Sequence, residues 1–193
     1  MTTPRILALA GSSRKDSFNA RLVRVAAEGA RQAGADVTVL DLREFPLPLF
    51  DEDVEPEILN SDALARLRQT FIDHDGLLIA SPEYNSSISP LLKNTIDWVS
   101  RPTEGTPMLA GFHGKTAAIM AASPGPLGGL RGLVHVRSIL SSIGVMVLPD
   151  QVTVRGAFDA FDDTGRLKEE RWHASTENLG KSLADTVRRL GAD

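Results

Sequence analysis

Short apolar runs alternate with longer stretches of helical periodicity along this chain. Residues 6–10, Ile-Leu-Ala-Leu-Ala, stop at Gly11 and read as a strand buried on both faces. Between residues 19 and 33, Leu22, Val23, Ala26, Ala27 and Ala30 recur at helical spacing, and Gly34 ends the pattern. Residues 37–40 predict a second strand, 76–80 a third, 116–122 a fourth and 145–148 a fifth. Helices are predicted over 61–71, with Leu64 and Leu67 on one face, over 90–99, with Pro90 in the first turn, over 128–143 and over 168–190. Pro46 and Pro48 exclude regular structure over 45–53. Five strands separated by helices predict an α/β fold, a parallel sheet covered on both faces.

Composition narrows the class. The 193 residues suit one compact domain, and 42% hydrophobic with 24% charged residues is the balance of a globular chain rather than a disordered one. A net charge of −4 gives no bulk attraction to nucleic acid or an anionic membrane. The absence of cysteine excludes disulfides, thiolate metal sites and cysteine nucleophiles, and fits a reducing cytoplasm. The run at 6–10 is too short for a signal segment, and no run reaches the roughly 18 apolar residues of a membrane span.

In an open parallel sheet, ligands bind beyond the carboxyl ends of the strands. The loops after the first, third and fourth strands therefore hold the candidate chemistry. The first, Gly11-Ser-Ser-Arg-Lys-Asp-Ser-Phe-Asn19, leads into a helix N-terminus, whose free N–H groups and dipole suit a phosphate. Ser12, Ser13 and Ser17 add hydroxyls, Asn19 an amide and Arg14 a charge. Neither G-x-G-x-x-G nor the P-loop pattern is present, which points to a mononucleotide monophosphate rather than a triphosphate. The same residues also fit a plain capped turn, with Ser17 or Asn19 as the N-cap. In the second loop, Ser81-Pro-Glu-Tyr-Asn-Ser-Ser-Ile-Ser-Pro90, Tyr84 and the backbone could frame a flat heteroaromatic ring, or form an ordinary loop with a surface tyrosine. The third, Ser123-Pro-Gly-Pro-Leu-Gly-Gly129, allows close approach of a ligand or serves as a crossover turn.

Taken together, these loops resemble the NADPH-dependent FMN reductases of the flavodoxin-like fold, a group that includes bacterial quinone, azo and chromate reductases. The matching stretches are 9–19, Leu47-Pro-Leu-Phe-Asp-Glu-Asp53, 81–98 and 123–129, in the expected order and within about residues 4–150. The resemblance implies one FMN-binding domain over 1–193, a three-layer sandwich around a five-stranded parallel sheet of order 2-1-3-4-5. It implies FMN as cofactor and NADPH or NADH as hydride donor. Ping-pong transfer would pass electrons to a small acceptor: a quinone, a flavin, an azo compound or a metal oxyanion. Ser12, Arg14, Ser17 and Asn19 would hold the FMN phosphate. Pro82, Glu83, Tyr84, Asn85 and Ser87 would line the flavin ring, largely through backbone groups. Ser123 and Gly125 would close its other side. No side chain is implied as a catalytic acid or nucleophile, because the flavin N5 carries the hydride. The resemblance further implies a cytoplasmic homodimer or homotetramer, with 93–101 and the helix from Gly128 as contact candidates, and no nucleic-acid or membrane partner.

Other classes fit less well. A serine hydrolase of this architecture needs G-x-S-x-G, which is missing. His74, His113, His135 and His173 lack metal-ligand spacing, and Asp51-Glu-Asp53 reads as a solvated turn, so no metal is expected. A flavodoxin-type carrier, which binds FMN without turning over NAD(P)H, uses a threonine-rich phosphate loop and a more acidic surface; Arg14, Lys15 and the modest charge favour a reductase. Trp98 is expected in core or interface packing, and Trp172 in helix packing.

Overall fold

The computed structural model describes residues 2–191; Met1, Ala192 and Asp193 lie outside the described residues. β1 (Arg5–Ala10), β2 (Asp36–Leu40), β3 (Gly76–Ala80), β4 (Thr116–Ala122) and β5 (Met146–Val154) form one parallel sheet in the order β2-β1-β3-β4-β5. The helices are α1 (Phe18–Gln32), α2 (Glu55–Ile58), α3 (Asp62–Ile72), α4 (Pro90–Ser100), α5 (Leu130–Ser142) and α6 (Glu170–Leu190). Among the described residues, no helix is long and apolar enough to cross a membrane.

The central strands β1, β3 and β4 are buried along nearly their whole length, which accounts for their unbroken apolar runs. Their pleat divides the core in two. Ile6 and Ala8 face α1 and α6, where they join Leu22, Ala26, Leu179 and Leu183. Leu7 and Leu9 face the other way and join Phe71 of α3, Ile96 of α4 and Leu133 of α5. α1 and α6 cross at Gly29 and Gly180. A β-carbon on Gly29 would lie 2.0 Å from the Glu177 carbonyl oxygen, and one on Gly180 would lie 1.8 Å from that of Ala26. The two backbones therefore touch with nothing between them.

Helix starts follow their caps. The hydroxyl of Ser17 accepts from the Ala20 N–H at 3.3 Å, so Ser17 rather than Asn19 is the N-cap of α1. Ser61 and Ser89 cap α3 and α4 in the same way, with Pro90 in the first turn. The irregular 45–53 segment is pinned to α4: the Pro48 carbonyl accepts from Asn94 Nδ2 and Trp98 Nε1, both at 2.8 Å. Trp98 is fully buried, edge-on to Phe50 at 4.9 Å, a packing residue as its position predicts. Trp172 is partly buried against the α1/α6 core.

β5 runs past the predicted 145–148. Pro149 reads as a strand breaker, but β5 is an edge strand, where a missing N–H need not break a ladder. The β4–β5 register shifts between Ala117 and Ile119 to absorb the irregularity. Arg137 of α5 reaches over this stretch. Its guanidinium donates to the carbonyls of Leu148 at 2.7 Å, Val147 at 3.3 Å and Pro149 at 3.3 Å, and to the Gln151 side chain at 3.2 Å. The short α2 and a 3-10 turn over Leu42–Glu44 were not predicted; neither is long enough to establish a period.

Candidate cofactor site

Because β1, β3 and β4 are neighbours, the loops that follow them meet at one end of the sheet. They enclose a cavity of about 260 Å³. Ser12, Arg14, Ser17 and Asn19 form one part of its wall, and Pro82, Glu83, Tyr84 and Ser123 another. Asn85, Ser87 and Gly125 lie outside that wall. Phe18, Ala122, Pro124 and Phe158 complete it without having been read from the sequence as site residues.

The first loop is a set of donors held in place. Ser17 uses its oxygen as acceptor for the cap and keeps its proton free to donate. The N–H groups of Phe18 and Asn19, in the first turn of α1, have no helical acceptor. The Arg14 guanidinium lies over the Phe18 ring at 4.7 Å. Asn19 does something the sequence did not suggest. Its Nδ2 donates to the Ala122 carbonyl and its Oδ1 accepts from the Ala122 N–H, both at 2.9 Å, and the residue is buried. The side chain read as a phosphate donor is thus a brace between α1 and the end of β4. A second brace is Ser89, whose hydroxyl donates to the Gly11 carbonyl at 2.6 Å and accepts from the Leu92 N–H at 3.2 Å.

The second loop is a tight turn. The Tyr84 and Ser87 backbones exchange hydrogen bonds at 2.9 and 3.0 Å. Asn85 and Ser86 between them have φ of 50° and 67°, the geometry of a type I′ turn. This turn fixes Tyr84, which is 54% exposed. Serine is poorly suited to the second of these positions, where glycine is preferred. Ser86→Gly is expected to raise stability by about 0.5–1 kcal/mol, the relief of left-handed strain less the entropy that glycine adds to the unfolded chain. Urea unfolding measures it; a loss of stability would contradict the turn.

Glu83 lines the cavity and engages α5 with its carboxylate. Its carboxylate accepts from Arg131 Nη2 at 2.6 Å and Nε at 2.9 Å, and from the Gly132 N–H at 3.2 Å. It therefore caps the start of α5, whose own N-cap, Gly129, has no side chain to do so. The Ser87 hydroxyl lies 2.8 Å from His135 Nδ1 on the same helix. The side chains of both residues thus tie the loop to α5, which leaves its backbone groups for the role that the resemblance implies. Burial pushes the Glu83 carboxyl up, but the hydrogen bonds from Arg131 and Gly132 outweigh it and hold it below the usual carboxylate range. Its stabilisation is complete above an ordinary glutamate pKa of about 4.3 and is lost as pH falls through the lower folded value. Glu83→Gln is expected to flatten the fall of the urea midpoint across this acid window. An unchanged acid limb would show that the carboxylate contributes nothing there.

The third loop is a crossover turn. Gly128 and Gly129 have φ of 60° and 92°, and a β-carbon on Gly129 would lie 2.6 Å from that of Ala121. These glycines let α5 start directly against the sheet. Ser123 closes the cavity side, its hydroxyl accepting from the Gly125 N–H at 3.2 Å. Phe158 follows β5 and is 75% exposed, edge-on to Phe18 at 5.5 Å. The one sequence signal for it is an apolar ring amid Gly and Asp with no period to bury it. Among the described residues, no group of three or more His, Asp or Glu side chains could hold a metal ion.

A family model described as NADPH-dependent FMN reductase matches residues 4–159. The chain is 35% identical over 187 residues to an NAD(P)H-dependent FMN reductase of Pseudomonas aeruginosa, covering 96% of each. It is 34% identical over 171 residues to an NADPH:quinone oxidoreductase of Arabidopsis thaliana, covering 86% of this chain and 83% of the other. It shares its fold with FerB, a flavoenzyme NAD(P)H:(acceptor) oxidoreductase from Paracoccus denitrificans, at a TM-score of 0.79 and 23% identity, over 97% of this chain and 98% of that one. The sheet order is that of the flavodoxin-like fold. The sheet, the loops at its carboxyl end and the match over most of the length agree: the chain belongs to the NADPH-dependent FMN reductase family.

Proposed function

We propose that the chain, as one domain, holds FMN in the 260 Å³ cavity and uses NAD(P)H to reduce a quinone. The observation that carries this reading is the division of the cavity wall. One end offers Arg14, the hydroxyls of Ser12 and Ser17, and the first N–H groups of α1, a donor set that suits a phosphate monoester. The rest of the wall includes Pro82, Tyr84 and Ser123, uncharged groups that suit the flavin ring. The residues present therefore fit FMN. Asn19 positions the phosphate end through its pair of hydrogen bonds to Ala122. Asn85 and Ser87 shape the turn that presents Tyr84.

FMN bound there supplies hydride acceptance from NAD(P)H and electron donation to the acceptor. The protein's part is binding and access. Glu83 is already engaged by Arg131, so no free carboxylate in the wall repels an electron-rich ring or the phosphates of the hydride donor. Tyr84 and Phe158 stand exposed at the rim. That open rim suits one flat ring at a time, first the nicotinamide and then the acceptor, which is the ping-pong order. A quinone is favoured as acceptor by the quinone oxidoreductase among the relatives. Exposed Leu127, Leu130 and Val134, at and along the start of α5, together with the outer face of α4, are the surface on which we place subunit contact in a homodimer or homotetramer.

The test is a visible spectrum of the purified protein, followed by steady-state NADPH and NADH oxidation with a benzoquinone. Flavin absorption and turnover well above an equal concentration of free FMN are expected. Turnover no faster than free FMN would end the enzyme reading and leave an FMN electron carrier.

A further inference from the structure

A second, smaller cleft adjoins the cofactor cavity and shares Ser12 and Arg14 with it. Its volume is about 90 Å³. That is about a third of the cofactor cavity, a space on the scale of a phosphate group. It lies between the 11–17 loop, α1 and the carboxyl end of β2. Arg14, Lys15, Arg24 and Arg43 stand in its wall with a single carboxylate, Asp41. That carboxylate is already taken: Arg43 Nε donates to both of its oxygens, at 3.0 and 2.9 Å. Lys15 and Arg24 have no ion-pair partner among the described residues. Uncompensated cations are thus gathered around a phosphate-sized space on a chain whose net charge is −4. Like charges so placed repel one another, and a dianion in the cleft relieves that repulsion.

The proposed function places the FMN phosphate in the larger cavity, whose wall lacks Lys15, Arg24 and Arg43. A pyridine nucleotide that brings its nicotinamide to that cavity must leave its adenosine end outside it. NADPH differs from NADH there by one phosphate monoester. Asp41, the carboxylate that could take a ribose hydroxyl in its place, is held by Arg43. We propose that the cleft between the 11–17 loop and β2 binds the 2′-phosphate of NADPH, and that Lys15 and Arg24 select NADPH over NADH. This rests on the reading that NAD(P)H reacts at the adjoining cavity.

The test is calorimetric titration of the FMN-loaded protein with adenosine 2′,5′-bisphosphate and with 5′-AMP, beside KM and kcat for both nucleotides. The bisphosphate is expected to bind at least about ten-fold tighter than AMP, and Lys15→Ala and Arg24→Ala each to weaken it about ten-fold. KM for NADPH should rise by the same factor, with kcat and the KM for NADH unchanged. The wild-type KM for NADPH should also rise with salt more steeply than that of Arg24→Ala. Equal binding of bisphosphate and AMP, or variants that bind like the wild type, would overturn the proposal. Failure of the underlying reading looks different: the wild type would then oxidise neither nucleotide in the presence of quinone.

Discussion

Gly180→Ala is expected to destabilise the protein by about 3 kcal/mol or more, at the upper end of overpacking effects. In an open helix the same change would stabilise by about 0.8–1 kcal/mol, because alanine is the better helix former. The sign is therefore diagnostic. The new methyl would sit 1.8 Å from the Ala26 carbonyl oxygen, and a backbone atom cannot rotate aside as a side chain can. Relief requires α1 and α6 to move apart, which opens the packing of Leu22 and Ala26 against Leu179 and Leu183. In a chain of this size a loss of about 3 kcal/mol lowers Tm by about 6–12 °C. Gly29→Ala meets Glu177 at the same crossing, so the double variant should cost less than the two single changes added together. Thermal and urea unfolding of the three variants test this. A gain in stability for Gly180→Ala would mean the helices do not touch there.

Asn19→Ala should have the second largest effect, and it should reach function as well as stability. The change strands the Ala122 N–H and carbonyl, both held at 2.9 Å, in a buried setting. Leaving two backbone groups unpaired costs about 2–4 kcal/mol. It also frees the start of α1 from the end of β4, so the phosphate end of the cavity loses its fixed distance from the Ser123 side. FMN retention on gel filtration is expected to fall at least about ten-fold, the scale of one lost charge-assisted contact. Asn19→Asp keeps the acceptor but sets a carboxylate against the Ala122 carbonyl, so it should not rescue. Full flavin content in Asn19→Ala would remove the brace from the account.

What the sequence made legible is what local pattern encodes. β3 and β4 end where their apolar runs end, because burial on both faces leaves no polar position to blur the boundary. Ser17 marks the start of α1 because a cap acts within three residues. β5 was cut short at Pro149 because edge position is a property of the sheet and not of the strand. The same division runs through the site. Ser12, Arg14, Ser17 and Tyr84, expected from two loops, line one cavity. The Asn19–Ala122 brace spans 103 residues and the Ser89–Gly11 brace 78, and neither leaves a mark on the pattern around it. The side-chain partners of Glu83 were hidden for the same reason: Arg131 and Gly132 lie 48 and 49 residues on.

The guanidinium of Arg137 at β5 bears on solubility. A sheet that ends in an open parallel edge invites another extended chain to add itself and continue the ladder. Here the invitation is withdrawn around Pro149. The carbonyls of Val147, Leu148 and Pro149 already accept from Arg137, and Pro149 has no N–H to give. An incoming strand would have to displace a charged side chain to gain an interrupted row of hydrogen bonds. Loss of the arginine should therefore appear first as aggregation on storage, before any change in the cofactor cavity at the sheet's carboxyl end.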